Sequence, residues 1–169
     1  MALGICTLGR ENWAQFKALR LKAIESAPFA LWPTYDEEAG LPQHEIQARI
    51  EPGPQQIVFG AFDGSKLVGV AGLRRNQLSQ IAHRATVWGV AVDPQRRKEG
   101  IGKRVLQRLI DHARSEGLLQ IQLAVAVENV AAQALYRSLG FKSFGVEPRA
   151  MQVGDRFYDE EHMVLRLDE

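Results

Sequence analysis

The sequence predicts one α/β domain over residues 1–169: a mixed, mostly antiparallel central sheet of about seven strands, flanked by about four helices. Three observations carry that expectation. Apolar residues recur at helical spacing in some segments and at alternating or continuous strand spacing in others. Two turn dipeptides, Asp63-Gly64 and Gly154-Asp155, each join a pair of strand patterns, as antiparallel hairpins require. The unit over 86–127 reads strand–helix–strand, so its two strands should run parallel through a right-handed crossover.

The elements follow in order. A short strand over 4–8 precedes a helix over 11–25, whose Trp13, Phe16, Leu19, Ala23 and Ile24 share one face. Pro28 and Pro33 break that period, and 29–40 reads as a long loop. A second helix over 43–50 ends at Glu51-Pro52-Gly53-Pro54. Strands 56–62 and 66–74 form the first hairpin. The strand over 83–92 is continuously apolar from Val87, as a strand covered on both faces would be, and Gly89 marks a bulge or a close backbone approach. In the helix over 101–116 the buried stripe is Ile101, Val105, Leu106, Leu109, Ile110 and Ala113, with Gly117 as its stop. Strand 119–127 places Leu119, Ile121, Leu123, Val125 and Val127 on one face and Gln120, Gln122, Ala124 and Ala126 on the other. Asn129 caps a last helix, in which Ala132, Leu135, Tyr136 and Leu139 follow at helical spacing before Gly140. Strands 142–151 and 157–167 finish the chain.

Composition narrows the function. At 169 residues, with 46% hydrophobic and 24% charged residues, the chain suits a single domain with a substantial core. A net charge of +1 argues against a general nucleic-acid binder. The lone Cys6 excludes an intrachain disulfide and is expected to be a buried structural thiol. His44, His83, His112 and His162 show no HExxH spacing, so no metal is expected. The N-terminus lacks a signal-peptide pattern and no apolar run approaches a membrane span, which makes a cytoplasmic protein the default.

The most informative segment is Val90-Ala91-Val92-Asp93-Pro94-Gln95-Arg96-Arg97-Lys98-Glu99-Gly100-Ile101-Gly102. An apolar strand runs into a basic, glycine-punctuated turn, and a helix starts at once. The first N–H groups of a helix lack intrahelical acceptors and sit at the positive end of its dipole, so the arrangement suits a phosphate or pyrophosphate. The P-loop pattern fails, because Arg97 stands where its first glycine belongs and Arg104 where its hydroxyl belongs. The dinucleotide fingerprint fails at Val105. Two glycines opening a helix also have a purely structural reading.

Arg97-x-x-Gly100-x-Gly102 resembles instead the pyrophosphate-binding motif of the GCN5-related N-acetyltransferases. Downstream, Asn129-x-x-Ala132-x-x-Leu135-Tyr136-x-x-x-Gly140-Phe141 resembles the second signature of the same family, in the same order. The resemblance covers about residues 55–167 well and the N-terminal part loosely. It implies the acetyltransferase fold, in which the fourth strand carries a bulge and splays from the fifth. It also implies acetyl-CoA as co-substrate, with Arg97, Lys98, Gly100 and Gly102 at the pyrophosphate and Arg96 toward the ribose phosphate. The backbone of Val90 and Val92, with Asn129, would then hold the pantetheine arm. Tyr136 would be the catalytic acid that protonates the departing thiolate, a role open to a phenol that stays protonated at neutral pH.

The reading that follows is an acetyl-CoA-dependent N-acetyltransferase, acting directly on the amino group of a small molecule, amino acid or peptide. The alternative is a non-catalytic CoA-binding sensor or partner-binding module on the same fold. The resemblance places the acceptor between the first helix–loop–helix and the last hairpin, where Glu37, Glu38 and Asp159 are candidate substrate contacts. Glu128, Glu37, Glu38, Asp159, Glu160 and His83 stay open as general bases. Neither nucleic acid nor membrane is expected as a partner, and a homodimer is compatible with the chain.

Overall fold

A computed structural model describes residues 2–169. The chain begins with β1 (Leu3–Thr7) and continues through α1 (Trp13–Ser26), α2 (Tyr35–Ala39) and α3 (Gln43–Ile50). The hairpin β2 (Gln56–Asp63) and β3 (Lys66–Arg75) leads to β4 (Arg84–Val92), α4 (Ile101–Ser115) and β5 (Gln120–Ala126). Then come α5 (Val130–Ser138), β6 (Lys142–Val153) and β7 (Arg156–Arg166). The seven strands form one sheet in the order β1-β2-β3-β4-β5-β7-β6. Only β4 and β5 pair in parallel, so the sheet is mixed and mostly antiparallel, as the sequence predicts.

Each face of the sheet carries its own core. On one face α4 and α5 cover Ala85, Val87, Ile121, Leu123, Val125, Met163 and Leu165. The stripe read from the sequence of α4 is buried in full. On the other face α1 and α3 cover Val58, Leu67, Val70 and Ala91 with Phe16, Leu19, Ile46 and Ile50. Alternation along β4 changes sides at a bulge. Ala85 and Val87 face α4, Trp88 faces α1, and then Val90 and Val92 face α4 again with Ala91 opposite. Between the pairs Gly72↔Trp88 and Val70↔Ala91, two residues of β4 oppose one of β3, and Gly89 takes the left-handed conformation (φ 63°) that this requires.

Three expectations are corrected. Residues 29–40 are not all loop: Thr34 accepts from the Glu37 N–H, and the Glu37 carboxylate accepts from the Thr34 N–H. That capping box starts α2, and its Thr-x-x-Glu signature stands in the sequence. Cys6 is exposed, because β1 is an edge strand that turns Leu3 and Ile5, not Cys6, toward the core. Leu119 and Val127 lie just beyond the ends of β5 and are exposed, although they continue its buried alternation.

An ion pair fastens the helical layer to the bulge. Arg20 of α1 donates its Nε–H to the Glu38 carboxylate at 2.6 Å, and both side chains are buried. Arg49 stands 3.5 Å from the other Glu38 oxygen. The Arg20 guanidinium lies 5.9 Å from the Trp88 ring and 5.4 Å from Phe16. A Cβ added to Gly89 would come within 2.9 Å of Arg20 Nη1. Glu38 is therefore enclosed beneath α1 between Arg20 and Arg49, with one oxygen hydrogen-bonded and the other held by the ion pair alone, and the expectation that it contacts substrate is not met by its position. Removing one partner of a buried pair strands the other charge and costs about 3–5 kcal/mol. Glu38→Gln should lower unfolding free energy by that order in urea titration, whereas Arg20→Met with Glu38→Leu should recover most of the loss.

Candidate active site

The site forms where β4 and β5 part. The two strands pair only at Arg84↔Gln120, Ala85↔Ile121 and Thr86↔Gln122. Beyond Thr86, the bulge carries β4 away, while β5 continues along β7 as far as Ala126↔Glu160. The main-chain edges of Trp88–Val92 and Leu123–Ala126 thus face one another across a gap without a ladder. Such edges accept an extended ligand as an added strand would be accepted. Val90 and Val92 point their side chains into the α4 core, so only their backbone is available there.

At the C-terminal end of β4 the chain enters the basic turn. Asp93 is buried and accepts from the Gln95 N–H at 3.0 Å, which sets the single 3-10 turn Pro94–Arg96. Burial pushes its carboxyl up, but the Gln95 N–H together with Lys22 and Lys66 outweighs this and holds it below the usual carboxylate range. Lys98 (φ 65°) and Gly100 (φ 78°) then adopt left-handed conformations and fold the turn back onto the start of α4. The first intrahelical bond runs from the Arg104 N–H to the Gly100 carbonyl. The N–H groups of Gly100, Ile101, Gly102 and Lys103 donate to no acceptor among the described residues. Their convergence at a helix N-terminus makes an anion cradle. Arg97 and Lys98 are exposed beside it.

Arg96 is placed differently from the expectation. Its guanidinium binds Glu99 at 2.9 Å and Asp63 at 3.0 Å, tying the turn to the β2–β3 hairpin. Gly102 has a packing reason as well as a ligand one. A Cβ there would sit 3.2 Å from Leu135 Cδ2 of α5 and 3.4 Å from Val92 Cγ2, so a bare glycine lets α4 start close against both.

α5 closes the gap from the α4 side. The Asn129 side chain caps it by accepting from the Ala132 N–H at 3.3 Å. Gln133 donates to the Ala126 and Val127 carbonyls at 3.1 and 2.6 Å, which fixes α5 to the end of β5. Tyr136, one turn on, is buried and packs edge-on against Phe141 at 5.9 Å between centroids. Burial pushes its phenol pKa well above the ordinary value, so the hydroxyl keeps its proton. Asn129 and Tyr136 carry a signature in the sequence, whereas Gln133 carries none.

The opposite mouth of the gap lies under the 27–34 connection. The Trp32 indole N–H donates to both Glu160 oxygens at 3.3 and 3.2 Å, and Phe29 stacks on Tyr158 at 5.1 Å. Beside them, a groove of about 430 Å3 runs between α1 and the β6–β7 hairpin, lined by Ile24, Glu25, Trp32, Tyr35, Met151 and Val153 among others. The helix–loop–helix and the last hairpin therefore do meet. The named carboxylates are committed elsewhere: Glu37 caps α2, and Asp159 accepts from the Arg149 N–H at 2.9 Å, where β6 bulges.

Among the described residues no helix is long and apolar enough to cross a membrane. The cradle is open to a direct test. Coenzyme A should raise the melting temperature, since a ligand at about 100 times its dissociation constant adds roughly 2.7 kcal/mol. Arg97→Gln with Lys98→Gln should weaken that binding and flatten its salt dependence, while the apo melting temperature stays the same. An unchanged melting temperature in millimolar coenzyme A would remove the assignment.

Comparison with known proteins agrees with this geometry. Residues 18–141 match the profile of the acetyltransferase (GNAT) family. The chain is 39% identical over 100 residues to the N-alpha-acetyltransferase RimI of Mycobacterium tuberculosis, covering 59% of this chain and 61% of that protein. It is 41% identical over 104 residues to the [ribosomal protein bS18]-alanine N-acetyltransferase of Salmonella typhimurium, covering 59% and 70%. The match thus spans less than two thirds of the mycobacterial relative's length. The crystal structure of a GCN5-related N-acetyltransferase from Kribbella flavida superposes with a TM-score of 0.84 at 26% identity, covering 98% of each chain. With the profile match covering most of its length, the chain belongs to the acetyltransferase (GNAT) family.

Proposed function

We propose that the protein is an acetyl-CoA-dependent N-acetyltransferase whose acceptor is the N-terminal amino group of a peptide or protein, in the cytoplasm. The observation that carries the reading is the gap between β4 and β5, with an anion cradle at one end and a buried tyrosine beside it. The names of the two relatives, an N-alpha-acetyltransferase and an alanine N-acetyltransferase of a ribosomal protein, support the class of acceptor.

The residues divide the work by position. Gly100 to Lys103 offer main-chain N–H groups to the pyrophosphate, with Arg97 and Lys98 adding charge. The backbone of Val90 and Val92 takes the pantetheine arm as a further strand, and the Asn129 side-chain amide reaches it from the start of α5. Holding the thioester in the gap presents its carbonyl to the face under Trp32. Proximity of a fixed thioester and a bound amine supplies much of the rate. The amine nitrogen attacks, the C–S bond breaks, and Tyr136 gives its proton to the leaving sulfur. The apolar groove beside Trp32 accommodates the residues that follow the reacting amine.

Incubation with acetyl-CoA and peptides bearing free N-termini should yield products acetylated on the α-amino group, read by fragmentation mass spectrometry. Coenzyme A binding without product from any peptide would favour the sensor alternative. Tyr136→Phe should cut kcat by about 10²-fold or more while leaving the KM for acetyl-CoA nearly unchanged. Because burial raises the phenol pKa, the donor stays protonated as pH rises. The wild-type rate should show no descending limb below pH ~10, near the ordinary tyrosine value. A fall that begins nearer neutrality would assign the proton donor to another group.

A further inference from the structure

We infer that His162, oriented by Glu147, is the general base that deprotonates the acceptor amine; this rests on the N-acetyltransferase reading above. Strand alternation sets the two sides of the gap. On β7, Met163 and Leu165 enter the α4–α5 core, and Glu161 binds Arg137 of α5 at 2.6 Å. Tyr158, Glu160 and His162 therefore project to the other face, where Phe29 and Trp32 meet the first two. On that face, the floor of β5 beside the gap is Ala124 and Ala126, directly opposite His162 and Glu160 in register. Cross-strand neighbours stand about 5 Å apart, so the imidazole is one strand away from the unpaired edge of β5. With only a methyl group at Ala124, nothing on the strand between blocks a direct or one-water path to an amine in the gap.

The local chemistry is that of an oriented base. His162 Nε2 lies 2.9 Å from Glu147 Oε2. A carboxylate accepts only, so this contact keeps the proton on Nε2 and leaves the Nδ1 lone pair without a partner among the described residues. The side chain is 35% exposed, enough to pass a proton on to solvent. The titratable groups flanking it on the sheet are Glu147 and Glu160, and the Phe144 ring lies 5.9 Å away. The other candidates are occupied or remote. Glu128 faces Arg156 at 3.4 Å, both Glu160 oxygens take the Trp32 indole N–H, and His83 precedes β4 at the end farthest from the bulge.

The step balances. The ammonium gives one proton to Nδ1, which releases it to solvent. The freed lone pair forms the C–N bond as the C–S bond breaks. The sulfur takes the Tyr136 proton, and the second proton lost by nitrogen restores Tyr136 through solvent. Tyr136 and His162 act from opposite faces of the sheet, on the leaving group and the nucleophile respectively.

The test uses the whole protein, acetyl-CoA and a panel of peptides carrying each residue at a free N-terminus. His162→Gln should lower kcat by about 10²-fold, with KM for acetyl-CoA and the coenzyme A-induced melting shift unchanged. It should flatten the rise of rate with pH, and added imidazole should restore part of the rate. Glu147→Gln should lose less than His162→Gln. If His162→Gln unfolds, His162→Asn and imidazole rescue of that variant decide the same point. A variant that matches wild-type turnover, or a lowered rate whose pH profile keeps its slope, overturns this assignment alone. A wild type that acetylates none of the panel overturns the activity and this assignment with it.

Discussion

A strand in mid-sheet has hydrogen-bonding groups on both edges, and leaving one edge unpaired is costly unless something else satisfies it. β4 meets that condition in an unusual way. It keeps β3 as a partner along its length but abandons β5 after Thr86, because two of its residues at the bulge oppose one on β3. Gly89 allows the turn that this takes. Everything needed to use the gap follows from the same departure. The bulge returns Val90 and Val92 to the α4 core, so the strand stays anchored while its outer edge stays open. The strand then delivers the chain to the cradle at the start of α4.

In the proposed reaction the gap also separates the two proton transfers. The α4–α5 face supplies a buried hydroxyl that keeps its proton, held by the Gln133 tie between α5 and the end of β5. The α1 face supplies carboxylates, an imidazole and an apolar groove under Trp32. The proposed acid and base thus stand on opposite faces of the sheet, where neither can quench the other. Behind the bulge, the Arg20–Glu38 pair and the Trp88 ring fill the α1 layer. That packing holds the bulge at a fixed distance from the helices that shape the acceptor side.

The strongest sequence signals were local and periodic. The α4 stripe, the hairpin turns and the cap at Asn129 all reappear in place, since each depends on neighbours within a few residues. The glycine-punctuated turn could be read for the same reason, as the unpaired N–H groups are a property of one helix end. What could not be read depends on register across strands. His162 became a candidate only once β5 and β7 were known to set it opposite Ala124, and Glu147 only once β6 was placed beside β7. Glu38 stands in the sequence as a candidate substrate contact, and its burial follows from Arg20, eighteen residues earlier on another helix. Arg96 is the converse case: its neighbours in sequence suggested a ligand, and a hairpin far upstream claims it through Asp63. The capping box of α2 was legible and was outweighed by the two prolines before it.

The central claim is that one ligand occupies both the cradle and the gap, and amide hydrogen exchange with and without coenzyme A addresses it most directly. Binding as described should slow exchange at Gly100 to Lys103 and at the β4 edge around Val90 and Val92 together, while the β1–β2 ladder stays unchanged. Protection confined to the cradle, or its appearance only in the groove beside Trp32, would contradict the account.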